Sequence, residues 1–271
     1  MHPLHDRLGF DSVTELDGTP TVRYTRHLDR YWWGHNAQFG GYVEALAIAA
    51  AGDAIGDPTM APLTLSVHYL RPFQDGDLHI DVTVERHGRS MANAHARMYS
   101  HGKLAGQMIV SFAARREHLE FQLVTPPAEI AQPIGVDEQP TPMFMDIPTH
   151  RYFDFFPRIG GMSRTDGVGE TVGGWIRPRF ETPIDESLLV MLQDIWLPVA
   201  YHHWKRPVVA VSIDITTQFR ARLPIDQPAS QGIFVLLRTA ASAGGFVDED
   251  SQLWSSTGEF LAQGRQFRYN H

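Results

Sequence analysis

Apolar and polar residues alternate with two different periods along this chain. Over 36–55, NAQFGGYVEALAIAAAGDAI, the apolar positions predict a helix with Asn36 as its N-cap. Period-two runs follow. LTLSVHYL puts Leu63, Leu65, Val67 and Tyr69 on one face, LHIDVTVE does the same with Leu78, Ile80, Val82 and Val84, and LAGQMIVSF closes the set. Such alternation marks strands with two unlike faces. The order then recurs. ESLLVMLQDIWLPVAYHHW (186–204) predicts a second helix, and VVAVSIDITTQF, GIFVLLRTAAS and EFLAQGRQFRY predict strands after it.

The ends of the two segments align without gaps. GRSMANAHARMYSHGKLAGQMIV from Gly88 lies against GGFVDEDSQLWSSTGEFLAQGRQ from Gly244, matching Gly102 with Gly258 and Gln107 with Gln263. A helix followed by strands whose connections are too short for crossover helices implies an antiparallel sheet wrapped around that helix, an α+β arrangement. Between the repeats, 126–148 holds Pro126, Pro127, Pro133, Pro140, Pro142 and Pro148. So many prolines permit neither a long helix nor a central strand. The expected organisation is an N-terminal unit over 1–125, a linker over 126–149 and a C-terminal unit over 150–271.

Composition narrows the function. A length of 271 residues suits one large domain or two of about 130 each, and 43% hydrophobic with 20% charged residues is ordinary for a globular protein. The net charge of −8 argues against nucleic acid as a partner. With no cysteine there is no disulfide, thiolate metal site or thiol nucleophile. MHPLHDRLGFDS lacks the basic start and apolar core of a signal peptide, and no run approaches the ~18 apolar residues of a membrane span. A cytoplasmic protein without cofactor or metal is expected. No G-x-S-x-G elbow and no H-E-x-x-H occurs; GVGETVGG (167–174) lacks the spacing of a nucleotide loop and reads as a turn at a strand edge. His2, His5, His202 and His203 fall near a terminus or a helix end and read as surface or capping residues.

One carboxylate resists this bland reading. In LVMLQDIWLP, Asp194 stands among Leu189, Val190, Met191, Leu192, Ile195, Trp196 and Leu197, so no helix or strand turns it cleanly to water. Pro198 has no N–H for the carbonyl of residue 194, so the helix loosens at the turn carrying Asp194. Either Asp194 is wetted by that break or it has partners. Two candidates come from strands. Ser212 shares a face with Ala210, Asp214 and Thr216, and Gln266 stands where the repeat alignment has Val110, on the face Phe260, Ala262, Gly264, Gln266. A buried amide left unsatisfied would cost about 1–3 kcal/mol, so Gln266 needs partners, either backbone groups or this site. The asymmetry puts candidate chemistry in the second half.

At these residues the chain resembles the type II acyl-CoA thioesterases, whose chains carry two fused hotdog units. QDIWLPVAYHHWKRPVVAVSIDITTQF resembles that family's second-unit helix and following strand, including D-x-x-x-P-V-A and the S/T-I-D pair. SVHYLRP and FGGYVEALAIAA resemble its first-unit strand and helix, while Ala94 departs from the arginine of its G-x-S-x-x-x-R stretch. The resemblance implies a double hotdog fold and a catalytic set of Asp194, Ser212 and Gln266, hydrolysing acyl-CoA to free acid and CoA. Asp194 would take a proton from water that Ser212 and Gln266 fix. The leaving thiol has a pKa near ~8.5 and needs no strong acid. Gly40 and Gly41 would let the helix backbone approach substrate or the other unit.

YWWGHNAQFGGYVEA also echoes the G-H-x-N segment of single-unit hotdog thioesterases, which would make His35 and Asn36 catalytic; helix capping by Asn36 and packing of Tyr31, Trp32 and Trp33 is the alternative preferred on this reading. Hydration or dehydration of acyl-CoA and non-catalytic acyl-CoA binding are rival functions of the same fold. Phe153, Phe155 and Phe156 are expected in the core rather than lining an acyl pocket. With Ser212 facing the helix, Val209, Val211, Ile213 and Ile215 fall on the outer face. Covering four aliphatics there needs sheets packed back to back, hence a homodimer or higher homo-oligomer.

Overall fold

The computed structural model describes residues 8–116, 119–143, 145–161, 169–203 and 209–270; His2, His5, Gly167, Val168 and Trp204 lie outside them. In the first half, β1 (Ser12–Glu15) and β2 (Thr21–Leu28) precede helix α1 (Gly40–Ile55), and β3 (Met60–Tyr69), β4 (Gly76–His87), β5 (Met91–Ser100) and β6 (Lys103–Ala114) follow it. In the second, β7 (Phe153–Ile159) and β8 (Thr171–Pro178) precede α2 (Glu186–Ile195). After α2 come β9 (Ala210–Phe219), β10 (Ile233–Arg238), the short β11 (Ser242–Ala243), β12 (Phe246–Trp254) and β13 (Phe260–Asn270). The strands form one antiparallel sheet in the order β1-β2-β4-β5-β6-β3-β9-β13-β12-β10-β8-β7, with β11 on β12. The halves meet at β3 and β9, where Val67 pairs with Ile215 and Ser66 Oγ lies 3.2 Å from Thr216 Oγ1.

Each helix owes its limits to a few residues. α1 is rich in alanine, and Val43, Leu46, Ala47, Ala50 and Ala51 are fully buried, so it lies inside the molecule rather than on it. It ends at Gly56, in the left-handed region at φ 67°, whose N–H returns to the Gly52 carbonyl. Its start departs from expectation. The helix begins at Gly40, its N-cap position is Phe39 with no side-chain cap, and Asn36 caps nothing in it. α2 starts from Asp185, whose carboxylate accepts the Leu188 N–H at 2.9 Å. It stops at Ile195 rather than running to 204: Trp196 turns extended at ψ 149°, Pro198 follows, and a short 3-10 turn covers Val199–His202. His202 in that turn is buried, not a surface residue.

One apolar core runs through both halves around α1 and α2. Phe153 and Phe155 belong to it, and Phe156 joins Trp175, Phe234 and Trp254 on the other face of the sheet. That second cluster is covered by Val124, Ile130 and Ile134, and Trp175 Nε1 donates to the Gln132 carbonyl at 2.8 Å. The proline-rich stretch is thus packed onto the sheet. Residues 171–174, expected in a turn, lie in β8, where Gly173 and Gly174 allow neighbouring strands to approach closely.

The expected face of β9 needs correction. Between Phe267↔Asp214 and Arg268↔Ser212 the register shifts, leaving Ile213 as a bulge. The bulge inverts the alternation. Ser212 and the fully buried Ile215 both face inward, Val209 and Val211 line a cavity, and the outer row of four aliphatics does not form. The packing argument for a homo-oligomer therefore loses its premise.

Candidate active site

Asp194 lies in the last turn of α2 with its side chain 7% exposed. The carboxylate finds three donors. Gly41 N–H, in the first turn of α1, meets Oδ2 at 3.2 Å, and Gln266 Nε2 and Arg268 Nη2 meet Oδ1 at 2.9 and 3.4 Å. Donors of this number let a buried carboxylate remain without bulk water.

Gln266, on β13, is 2% exposed and lies inward, as does its first-half counterpart Val110 on β6. Its partners fix the orientation of the amide. Oε1 accepts from Arg268 Nη2 at 2.6 Å, while Nε2 donates to Asp194 Oδ1 and, at 2.5 Å, to Ser212 Oγ. Both amide N–H groups are engaged, so Gln266 orients Asp194 and Ser212 rather than a water. Because Ser212 accepts from the amide, its own hydroxyl proton is left to donate elsewhere. The structure thus brings the three expected side chains together: Asp194 and Ser212 line a cavity of about 410 Å³, and Gln266 lies behind them, bonded to both, a volume within the ordinary size of a small-molecule site.

Gly40 and Gly41 stand at the same place. A Cβ on Gly40 would lie 2.9 Å from both Asp194 Oδ2 and the Tyr69 hydroxyl, and one on Gly41 would lie 2.8 Å from the Met191 Cα. The glycines let α1 touch α2 and bring an N–H to Asp194. Gly40 also lines the cavity, and His35 and Asn36 sit exposed on its rim. Phe153, Phe155 and Phe156 are absent from its lining.

Four further residues escaped the reading of the sequence. Arg268 is 5% exposed and also binds Glu249 Oε1 at 3.0 Å; Glu249 is 2% exposed and its Oε2 accepts the Val199 N–H at 3.2 Å. Burial opposes the arginine's charge, but Glu249 and Asp194 outweigh it and hold its pKa above the usual value. The alternation of β13 already pointed to Arg268, two residues beyond Gln266 on the same face. Glu44, on α1, is fully buried and accepts the Tyr69 hydroxyl at 2.6 Å. Burial above all, aided by nearby Asp194 and resisted by the Tyr69 bond, pushes its pKa well above that of an ordinary carboxylate.

His150 lines the cavity and its Nε2 lies 3.1 Å from the Ile195 carbonyl, an acceptor that requires the proton on Nε2. Burial lowers its pKa to about 4 against a small opposing effect of that bond, so the ring is neutral. Among the described residues, no group of three or more His, Asp or Glu side chains could hold a metal ion. None of the described helices is long and apolar enough to cross a membrane.

Comparison with known proteins agrees with a fold of this kind. The acyl-CoA thioesterase N-terminal domain matches residues 29–113 and the acyl-CoA thioesterase C-terminal domain matches residues 128–268. The chain belongs to the type II acyl-CoA thioesterase family. Solved structures share its architecture at low identity. A conserved protein of unknown function with a hot dog fold from Alicyclobacillus acidocaldarius is 23% identical, with TM-score 0.85 over 100% of this chain and 98% of that one. The acyl-CoA thioesterase II TesB2 from Mycobacterium marinum is 17% identical, with TM-score 0.70 over 99% and 97%. The dehydratase domain of RzxB from Pseudomonas fluorescens is 16% identical, with TM-score 0.60 over 99% and 98%. At these identities the likeness establishes the hotdog fold and no chemistry. No curated protein sequence matches the chain.

Proposed function

We propose that the chain hydrolyses acyl-CoA thioesters to a free acid and CoA, as two fused hotdog units over 1–125 and 150–271 joined by 126–149. The reading is supported chiefly by one observation: Asp194 and Ser212 line a cavity and are joined by Gln266 behind them into one hydrogen-bonded set. In this scheme a water donated to Asp194 attacks the carbonyl carbon and gives up its proton to the carboxylate. The C=O pair moves to oxygen, then returns as the C–S bond breaks. The thiolate leaves, being a good leaving group at a thiol pKa near ~8.5, and recovers the proton from Asp194. Ser212, held as an acceptor by Gln266, directs its own proton toward the water or the carbonyl. Every residue in the scheme comes from one chain, so it applies to a monomer and a homo-oligomer alike.

Release of free thiol from a panel of acyl-CoAs tests this. The wild type should release thiol, and Asp194→Asn, which keeps the shape and removes the base, should lower kcat by about 10²–10⁴-fold. Full activity of Asp194→Asn on every acyl-CoA that the wild type hydrolyses would refute the assignment. A change in enoyl absorbance without thiol release would favour hydration, the chemistry closer to the dehydratase domain that shares the fold.

A further inference from the structure

Glu44 is a buried titratable group that the scheme above leaves idle. It has no exposed surface; its Oε1 meets the Tyr69 hydroxyl at 2.6 Å, and its Oε2 is buried with no hydrogen-bond partner among the described residues. Tyr69 lines the cavity, and its ring packs edge-on against Phe73 with centroids 6.4 Å apart. Its hydroxyl oxygen and Asp194 Oδ2 flank the same glycine, each 2.9 Å from where a Gly40 Cβ would stand.

Apart from the Ser212 hydroxyl, the donors grouped around Asp194 are already engaged. Gly41 N–H, the helix-start amide best placed for an oxyanion, is taken by Asp194, and both N–H groups of Gln266 are taken by Asp194 and Ser212. Arg268 Nη2 is shared among Asp194, Glu249 and Gln266. A second ionised carboxylate at Glu44, buried, near Asp194 and met by a single donor, would be costly, so Glu44 keeps its proton. A neutral carboxyl can reverse the 2.6 Å contact, donating to the phenol oxygen instead of accepting from it. The phenol's own proton is then released from Glu44 and free to turn into the cavity.

We infer that Tyr69 is a further catalytic residue, its hydroxyl donating a hydrogen bond to the thioester carbonyl oxygen as charge develops there, with Glu44 as the positioning acid that occupies the phenol's lone pair. The inference rests on the hydrolase reading. When water bonds to the carbonyl carbon, the C=O pair moves onto oxygen and Tyr69 stabilises it without giving up its proton. Collapse returns the pair, expels the thiolate and leaves Tyr69 unchanged.

Tyr69→Phe should lower kcat by about 10²-fold, the usual loss for one oxyanion donor, with KM nearly unchanged. Glu44→Ala should lower kcat as well, and Glu44→Gln should restore most of it, because an amide N–H supplies the same donor to the phenol. The decisive readout is the infrared carbonyl band of a bound, isotope-labelled acyl-CoA analogue in which a methylene replaces the thioester sulfur. The band should lie at lower frequency in the wild type than in Tyr69→Phe. Wild-type kcat in Tyr69→Phe, or a lowered kcat with an unmoved band, would overturn the inference, as would failure of Glu44→Gln to rescue. Asp194→Asn, assayed beside these variants, separates the two claims. An inactive Asp194→Asn with a fully active Tyr69→Phe sinks the Tyr69 role alone, whereas a fully active Asp194→Asn sinks the hydrolase reading. The infrared band reports the Tyr69 contact in either case.

Discussion

Arg268→Met should separate stability from activity in this protein. The arginine side chain is 6% exposed, and its Nη2 serves Gln266 Oε1 at 2.6 Å, Glu249 Oε1 at 3.0 Å and Asp194 Oδ1 at 3.4 Å. Removing the cation leaves the Glu249 side chain, 2% exposed, with the Val199 N–H and no positive charge. Breaking one side of a buried pair costs about 3–5 kcal/mol. At roughly 2–4 °C per kcal/mol for a chain near this size, the midpoint should fall by about 6–20 °C. Replacing both partners by apolar groups removes the orphaned charge, so Arg268→Met with Glu249→Leu should recover most of that loss. Activity should not follow. Without Arg268 no other described residue holds Gln266 Oε1, and a turned amide would set an oxygen against Asp194 and Ser212. A misplacement of that kind costs up to about 10²-fold. Thermal melts and thiol release on the three proteins would check this. A single variant melting with the wild type, or a double variant with wild-type kcat, would refute the reasoning.

Three further perturbations follow from the geometry. His150 titrates at 6.5 in an unfolded chain but near 4 here, because burial disfavours its charged form. As pH falls from 6.5 toward 4 the unfolded chain binds a proton that the folded one does not, so up to about 3 kcal/mol of stability is lost across that window. His150→Gln keeps a donor for the Ile195 carbonyl and cannot titrate; its melting temperature should fall less steeply with acid, and parallel curves would contradict the claim. Gly41→Ala places a Cβ 2.8 Å from backbone on α2, and should cost about 1–3 kcal/mol while drawing the N–H away from Asp194 and lowering kcat. Gly52→Ala in the same helix meets nothing closer than Phe112 at 3.6 Å and should stabilise by about 0.5–1 kcal/mol. Denaturant midpoints of the two variants, shifted in opposite directions, are the expected result.

Asp194 could be found from sequence because a charge among seven apolar neighbours is a local anomaly, and Pro198 is a local reason for the helix to stop. Glu44 satisfies the same criterion within YVEALAIAA, yet its partner Tyr69 is reached only through the fold. Glu249 is masked by its neighbours: between Asp248 and Asp250 it reads as one more solvated acid, and the pairing with Gln266 turns it inward. Alternation carried through β9 fails at Ile213, because a bulge leaves no mark in the pattern of polar and apolar residues. Asn36 looked like a cap because N-capping is ordinarily local. The group that meets the start of α1 comes instead from 153 residues away in the chain.

That long-range contact is also why the site belongs to neither half alone. Asp194 lies at the end of α2 where the helix dipole is negative, an unfavourable place for an anion. The start of α1 lies against it, and its positive end and the Gly41 N–H at 3.2 Å offset the penalty. Only glycine at 40 and 41 permits that approach, since a side chain at either position would meet Asp194, Tyr69 or the backbone of α2. The second half therefore supplies the carboxylate, the hydroxyl and the amide. The first half supplies the helix start whose Gly41 N–H meets that carboxylate beside the cavity, and through Tyr69 it supplies the donor inferred to face it. A C-terminal half expressed by itself would keep Asp194, Ser212 and Gln266 and lose the Gly41 N–H that meets the carboxylate.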